Sequence, residues 1–183
     1  MNFWGKSKRY QSPDEAEEWL PEVKGKILRV GLFVNHSLEE VAEVWERGFI
    51  DVIQLHGDES LTDFQALRQR GAKLWRAAGV KDASSLEALA PSLPLADAWL
   101  LDAHAPGVFG GTGQAVDWNL AGAFVKAHSE VPIILAGGLT PENVNEAIQV
   151  VRPCAIDLAS GVESAPAIKD VEKVAKLMNA VRG

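Results

Sequence analysis

The run Val131-Pro-Ile-Ile-Leu-Ala-Gly-Gly-Leu-Thr-Pro-Glu-Asn143 reads as a buried strand, a tight turn and a helix start. The apolar residues from Ile133 to Ala136 stop at Gly137 and Gly138, and Thr140 with Pro141 has the form of an N-cap followed by a first helical position. A strand that runs through a glycine turn into a helix N-terminus is a local recipe for anion binding, because unpaired backbone N–H groups and the positive end of the helix dipole meet there. One strand–helix unit later the pattern nearly repeats. Ala155-Ile-Asp-Leu-Ala-Ser-Gly-Val162 is an apolar run ending in Ser160-Gly161. Two neighbouring parallel strands with such turns can grip one phosphate between them, and in a (β/α)8 barrel that site lies after the last two strands. The same glycines would also serve ordinary turns.

Working outward, the chain alternates short apolar strands with helices. Phe3 and Trp4 look like a strand end and lead into a basic loop with Lys6, Lys8 and Arg9. Ser12-Pro-Asp-Glu15 is a capping box that opens a helix to about Val23. Strands are expected over 27–34, 51–55, 73–77 and 99–102, and helices over 37–47, 61–70, 84–90, 117–128 and 170–181. The strand at 99–102 ends on a carboxylate, Asp102, and a glycine-rich loop follows from Ala103 to Gln114. Its length favours a functional loop. Strict strand–helix alternation means a parallel sheet covered by helices. Six full strands and an N-terminal stub can be counted. A doubly wound sheet would suit six, whereas a closed barrel needs eight.

The bulk numbers narrow the function classes. A length of 183 residues makes one domain the default. The net charge of −7 and the lack of a long basic run argue against nucleic acid as a partner. Cys154 is the one cysteine, which excludes an internal disulfide framework and a multi-cysteine zinc site and fits a reducing, cytoplasmic setting. No His, Asp, Glu and Cys cluster has metal-ligand spacing. No apolar run approaches the roughly 20 residues of a membrane helix.

Several motifs together carry a resemblance. They are Lys6-Ser-Lys-Arg-Tyr10, Val30-Gly-Leu-Phe-Val-Asn35, Gln54-Leu-His-Gly-Asp-Glu59, Leu100-Leu-Asp102, Gly110-Gly-Thr-Gly113 with Asp117-Trp118, Leu135-Ala-Gly-Gly-Leu-Thr-Pro-Glu-Asn143 and Asp157-Leu-Ala-Ser-Gly-Val-Glu163. In this order and spacing the chain resembles the phosphoribosylanthranilate isomerases, (β/α)8 barrels of tryptophan biosynthesis. Other phosphate-binding barrels, such as ribulose-phosphate epimerases and indole-glycerol-phosphate synthases, share the terminal phosphate turns but not the Leu-His-Gly-Asp-Glu and Gly-Gly-Thr-Gly combination. Ala159 stands where the family usually has a first serine. The family opens with a strand that bears a cysteine, and Met1 aligns where its second strand is already ending. The resemblance therefore implies an incomplete TIM barrel: one α/β domain over residues 1–183, with family strands three to eight as about six parallel strands, outer helices, and the first strand, first helix and most of the second strand absent. The expectation is an N-terminally truncated chain.

The family's reaction is an Amadori rearrangement of an aminoaldose to a ketose, and it needs no cofactor. The resemblance makes Asp102 the general acid and leaves the family's cysteine base without a counterpart. Cys154, early in the last strand, is expected to be a small buried thiol. Arg9, His56 and Asp157 are implied substrate-binding residues. Gly110, Gly111, Thr112, Gly113, Gly137, Gly138, Ser160 and Gly161 are implied phosphate-binding residues. The expectation is a phosphorylated small-molecule ligand, no membrane or nucleic-acid partner, and weak phosphate binding with little or no turnover. The alternative is a non-enzymatic barrel fragment that retains at most phosphate binding. Open sheet edges would permit self-association, with the monomer preferred.

Overall fold

Short polar side chains set where the helices begin. A computed structural model of the chain describes residues 1–103 and 116–182, which form two compact units. The first is Met1–Ala77 with Leu95–Asp97, and the second is Ala78–Pro94 with the chain from Ala98 onward.

In the first unit, α1 (Pro13–Trp19), α2 (Leu38–Glu46) and α3 (Leu61–Gln69) each open on a capping box, built by Ser12 with Glu15, Ser37 with Glu40 and Ser60 with Asp63. Each serine accepts from the third helical N–H and each acid accepts from the serine N–H, so two donors that the helix cannot satisfy itself are paired. Between the helices run β1 (Val30–Phe33), β2 (Val52–Leu55) and the first four residues of β3 (Leu74–Val80), paired in parallel with Val30 opposite Val52 and Gln54 opposite Trp75. Every residue of β2 is buried, as expected of a parallel strand covered on both faces.

β1 is shorter than the expected 27–34 strand. Ile27 and Leu28 stay 58% and 53% exposed, because the pairing with β2 starts only at Val30. Just before it, Arg29 is held by Asp51 in a bidentate ion pair, Nε–Oδ2 2.9 Å and Nη2–Oδ1 2.7 Å. The expected strand end at Phe3 is found. Asn2 bridges to Leu32 in parallel, and the Phe3 N–H donates to the Leu32 carbonyl at 3.0 Å. Phe3 then packs its ring against Phe33 and Phe49 in the core.

The second unit holds α4 (Ala83–Leu89), β4 (Ala98–Ala103), α5 (Trp118–Ala127), β5 (Ile133–Leu135), α6 (Val144–Val151), β6 (Ala155–Ile156) and α7 (Val171–Arg182). Trp99 lies opposite Ile133 and Ile134 opposite Ala155, again in parallel. Leu100, Leu101, Ile133 and Leu135 are almost wholly buried, as are Val144, Ala147 and Val151 of α6.

Two expectations are corrected here. Thr140 and Pro141 do not begin a helix, since α6 starts at Val144. The Asn143 side chain accepts from the Thr140 N–H at 2.8 Å and donates to the Gly138 carbonyl at 3.0 Å, and this closes residues 138–143 into a turn ahead of the helix. The run from Ala155 ends in the expected turn at Ser160-Gly161, but its strand is shorter than the run suggests. β6 spans two residues, and Ser160–Val162 forms a 3-10 turn. The chain then makes an antiparallel hairpin, β7 (Glu163–Ala165) with β8 (Ile168–Lys169), which the sequence reading missed.

Candidate active site

β4 is buried at all six positions, and one of them is Asp102, only 7% exposed. A carboxylate in an apolar strand loses hydration, so the charged form is disfavoured. Burial pushes the Asp102 carboxyl up to about 6; the Ala103 N–H, donating to Oδ1 at 2.8 Å, pulls the other way, and the nearby Asp157 charge adds to the rise.

The turn after β5 comes up against that carboxyl. Gly137 has φ +83°, a conformation that side-chain-bearing residues rarely adopt, and a Cβ there would lie 2.8 Å from the Ala103 nitrogen and 3.0 Å from Asp102 Oδ1. The turn after β6 comes equally close to the turn after β5, since a Cβ on Gly161 would overlap the Leu139 carbonyl oxygen. Both glycines are therefore required by close backbone approach. Asp102, residues 136–139 and residues 157–161 line one cleft of about 40 Å³.

Asp157 follows β6, and its N–H donates to the Leu135 carbonyl at 2.8 Å. Asp157 is exposed at the surface, and loss of hydration at its carboxyl raises it above the usual range, with Lys169 drawing it back down. Two carboxyl groups thus face one cleft with affinities for protons above those of free aspartate. The sequence had paired the two glycine turns; the structure adds both acids to them.

The remaining candidates lie elsewhere. Gly110, Gly111, Thr112 and Gly113 are outside the described residues. Arg9 and His56 belong to the first unit. Arg9 is half-buried in a tight loop, its N–H donating to Ser7 Oγ. The His56 N–H donates to the Phe33 carbonyl at 2.9 Å. Its imidazole is held down to about 4, first by burial and then by the charge of Arg76, so the ring is neutral near pH 7.

The His56-Gly57 turn rests on a charge network that the sequence reading did not single out. Glu59 accepts from the Gly57 N–H at 2.9 Å, the Asn35 N–H at 2.8 Å and Arg76 Nη1 at 2.7 Å, and Arg76 Nη2 donates to the Gly57 carbonyl at 2.9 Å. A lone arginine inside the otherwise apolar run 74–78 was the available signal. Cys154 is corrected from buried to exposed, because it sits at the rim just ahead of β6, with its thiol raised by partial burial. Among the described residues no group of three or more His, Cys, Asp and Glu side chains could hold a metal ion, and no helix is long and apolar enough to cross a membrane.

Comparison with known proteins fits this arrangement. The family model for N-(5'-phosphoribosyl)anthranilate (PRA) isomerase matches residues 1–180. The isomerase of Geotalea uraniireducens is 42% identical over 181 residues, covering 99% of this chain and 85% of that protein. The crystal structure of the Thermotoga maritima isomerase superposes with TM-score 0.90 at 33% identity, covering 100% of this chain and 86% of the other. A further isomerase structure, solved in complex with reduced 1-(o-carboxyphenylamino)-1-deoxyribulose 5-phosphate, matches with TM-score 0.85 at 32% identity, covering 100% and 86%. The six parallel strands with their helices are those of this TIM-barrel family. With a model match along nearly its whole length and relatives at this identity, the chain belongs to the N-(5'-phosphoribosyl)anthranilate isomerase family.

Proposed function

We propose that the cleft takes the phosphorylated aminoaldose of the family reaction and that Asp102 is its general acid. The observation that carries this is a buried carboxyl at the cleft wall whose proton affinity lies near pH 6. A general acid works best when its pKa is close to the working pH. Asp102 gives its proton to the ribose ring oxygen, the C1′–O bond breaks, and the anthranilate nitrogen supplies electrons to form the Schiff base. A base then takes the proton from C2′, and the resulting enol amine tautomerises to the ketose. The turns at Gly137-Gly138 and Ser160-Gly161 hold the phosphate, and Arg9, His56 and Asp157 are the further substrate-binding residues that the family resemblance implies. Support for the ligand class comes from the related isomerase that was crystallised with a reduced carboxyphenylamino-deoxyribulose phosphate.

The C2′ base is the open position. Cys154 is the only cysteine in the sequence, and it lies away from the cleft with a thiol raised rather than lowered. Residues 1–183 on their own are therefore read as the acid and phosphate parts of the site, with little or no turnover and a monomeric, cytoplasmic protein as the setting. General acids and bases contribute roughly 10²–10⁴-fold each, which sets the expected deficit. Loss of anthranilate fluorescence with fresh phosphoribosylanthranilate tests this. Turnover that vanishes in Asp102→Asn would confirm the acid and refute the missing base. Turnover that survives Asp102→Asn would refute the acid. In a titration with the reduced product analogue, amide shifts at Gly137, Gly138, Ser160 and Gly161 are expected, and none would refute the phosphate assignment.

A further inference from the structure

The hairpin that follows the phosphate turn is tied back to it by one lysine. Lys169 Nζ, on β8, donates to the Ala159 carbonyl at 3.0 Å and meets Glu163 Oε1 at 3.2 Å. Ala159 immediately precedes the 3-10 turn Ser160–Val162, and Glu163 immediately follows it. One ammonium thus bridges both ends of the segment that carries Ser160 and Gly161. Two more contacts fix the far end. The Asp170 N–H donates to the Val162 carbonyl at 2.9 Å, and Lys173 Nζ donates to the Glu163 carbonyl at 2.8 Å.

Glu163 is 7% exposed although its side chain ends in a carboxyl group. A buried carboxylate needs a cationic partner, whereas an exposed ion pair contributes little. Lys169 is half exposed at its own position, so the pair stands on the need of Glu163. The turn it braces is also the one whose Gly161 must pass the Leu139 carbonyl at closest approach. A small displacement there would move both walls of the cleft.

We propose that Lys169 is a positioning residue for the phosphate turn: by gripping the Ala159 carbonyl and the Glu163 carboxylate together, it fixes residues 159–163 against the turn at Gly137-Gly138. The brace follows from these contacts. That the turn is held in order to bind phosphate rests on the function proposed above.

Two readouts on the full 183-residue chain separate these points: amide hydrogen exchange without ligand, and titration with inorganic phosphate followed through backbone amide shifts. A hydrogen bond to a charged group is worth enough for a change of about tenfold. Lys169→Met is expected to speed exchange at Ser160, Gly161 and Val162 by that factor relative to Ile133–Leu135 and to raise the phosphate Kd by a similar factor. Lys169→Arg is expected to restore both, since a guanidinium can reach a carbonyl and a carboxylate at once. Glu163→Gln keeps an acceptor and removes the charge, and should give an intermediate effect. Exchange at the turn within twofold of the parent protein in Lys169→Met would overturn the proposal. So would faster exchange spread evenly over β4, β5 and the turn. Loosening confined to the turn and reversed by arginine, with no phosphate binding in any of the proteins, would keep the brace and discard the phosphate reading.

Discussion

The loop after β2 and the C-terminal end of β4 treat buried charge in opposite ways. After β2, the carboxylate of Glu59 is met by two backbone N–H groups and a guanidinium. That guanidinium returns to the Gly57 carbonyl and lies over the Phe64 ring. Every charge there is answered from within the first unit. In β4, Asp102 accepts the Ala103 N–H, and the charge of a second carboxylate, Asp157, adds to the rise that burial produces. A network of opposite charges holds a loop in place; a buried acid near a like charge binds its proton more tightly. The contrast separates a loop held by opposite charges from a strand end whose acids hold protons more tightly than free aspartate.

The largest test of the contrast breaks the balanced side. Glu59→Ala removes a carboxylate whose side chain is only 4% exposed and leaves Arg76 and two N–H groups without that acceptor. Removing one partner of a buried pair costs about 3–5 kcal/mol, and this should appear as a lower urea midpoint with little change in slope. A loss below about 1 kcal/mol, the value of an exposed pair, would mean that the network is decorative.

The unbalanced side should respond in the other direction. Asp102 is raised from 3.8 in the unfolded chain to about 6 when folded. Between these values the folded protein holds a proton that the unfolded chain releases, so stability falls as pH rises through this window and the full penalty is present above it. Asp102→Asn removes the ionisation. It is expected to stabilise the protein by about 3 kcal/mol at pH 7, about 1 kcal/mol at pH 4.5 and not at all at pH 3. Equal unfolding free energies for the two proteins at pH 7 would show that folding does not raise the Asp102 carboxyl.

Much of this was legible in the sequence, for reasons that differ by residue. Ser12 and Ser37 announced helix starts because capping is local and leaves a short pattern. Asp102 stood out as a carboxylate ending an apolar strand. Gly137 and Gly161 were visible as turns, but what requires them is an approach to atoms of other elements, Ala103 and Leu139. Thr140-Pro141 misled because Asn143, three residues on, competes for the same backbone groups. Arg76 and Glu59 are 17 residues apart and Lys169 and Glu163 pair through a hairpin. Contacts of that range are set by strand register, which no short window of sequence specifies. The burial of Cys154 was misjudged because strand position alone does not say how far a short strand extends.

The smallest expected effect sharpens the contrast by pH. His56 is lowered from 6.5 to about 4, so its ring stays neutral in the folded protein while the unfolded chain takes up a proton below about pH 6.5. The stability it contributes is complete above pH 6.5 and is lost as pH falls towards 4. Asp102 has the opposite slope over much of the same range, each group contributing at most about 1.4 kcal/mol per pH unit. In the parent protein the two slopes offset one another between pH 6 and 4.5. Relative to the parent, His56→Gln should therefore gain stability on acidification, whereas the advantage of Asp102→Asn should shrink. Urea unfolding of the three proteins at pH 6.5 and 4.5 measures both differences. If the His56→Gln difference does not grow towards pH 4.5, the ring is hydrated rather than buried against Arg76. The balanced character of the first loop would then end at Glu59 and not extend to the histidine beside it.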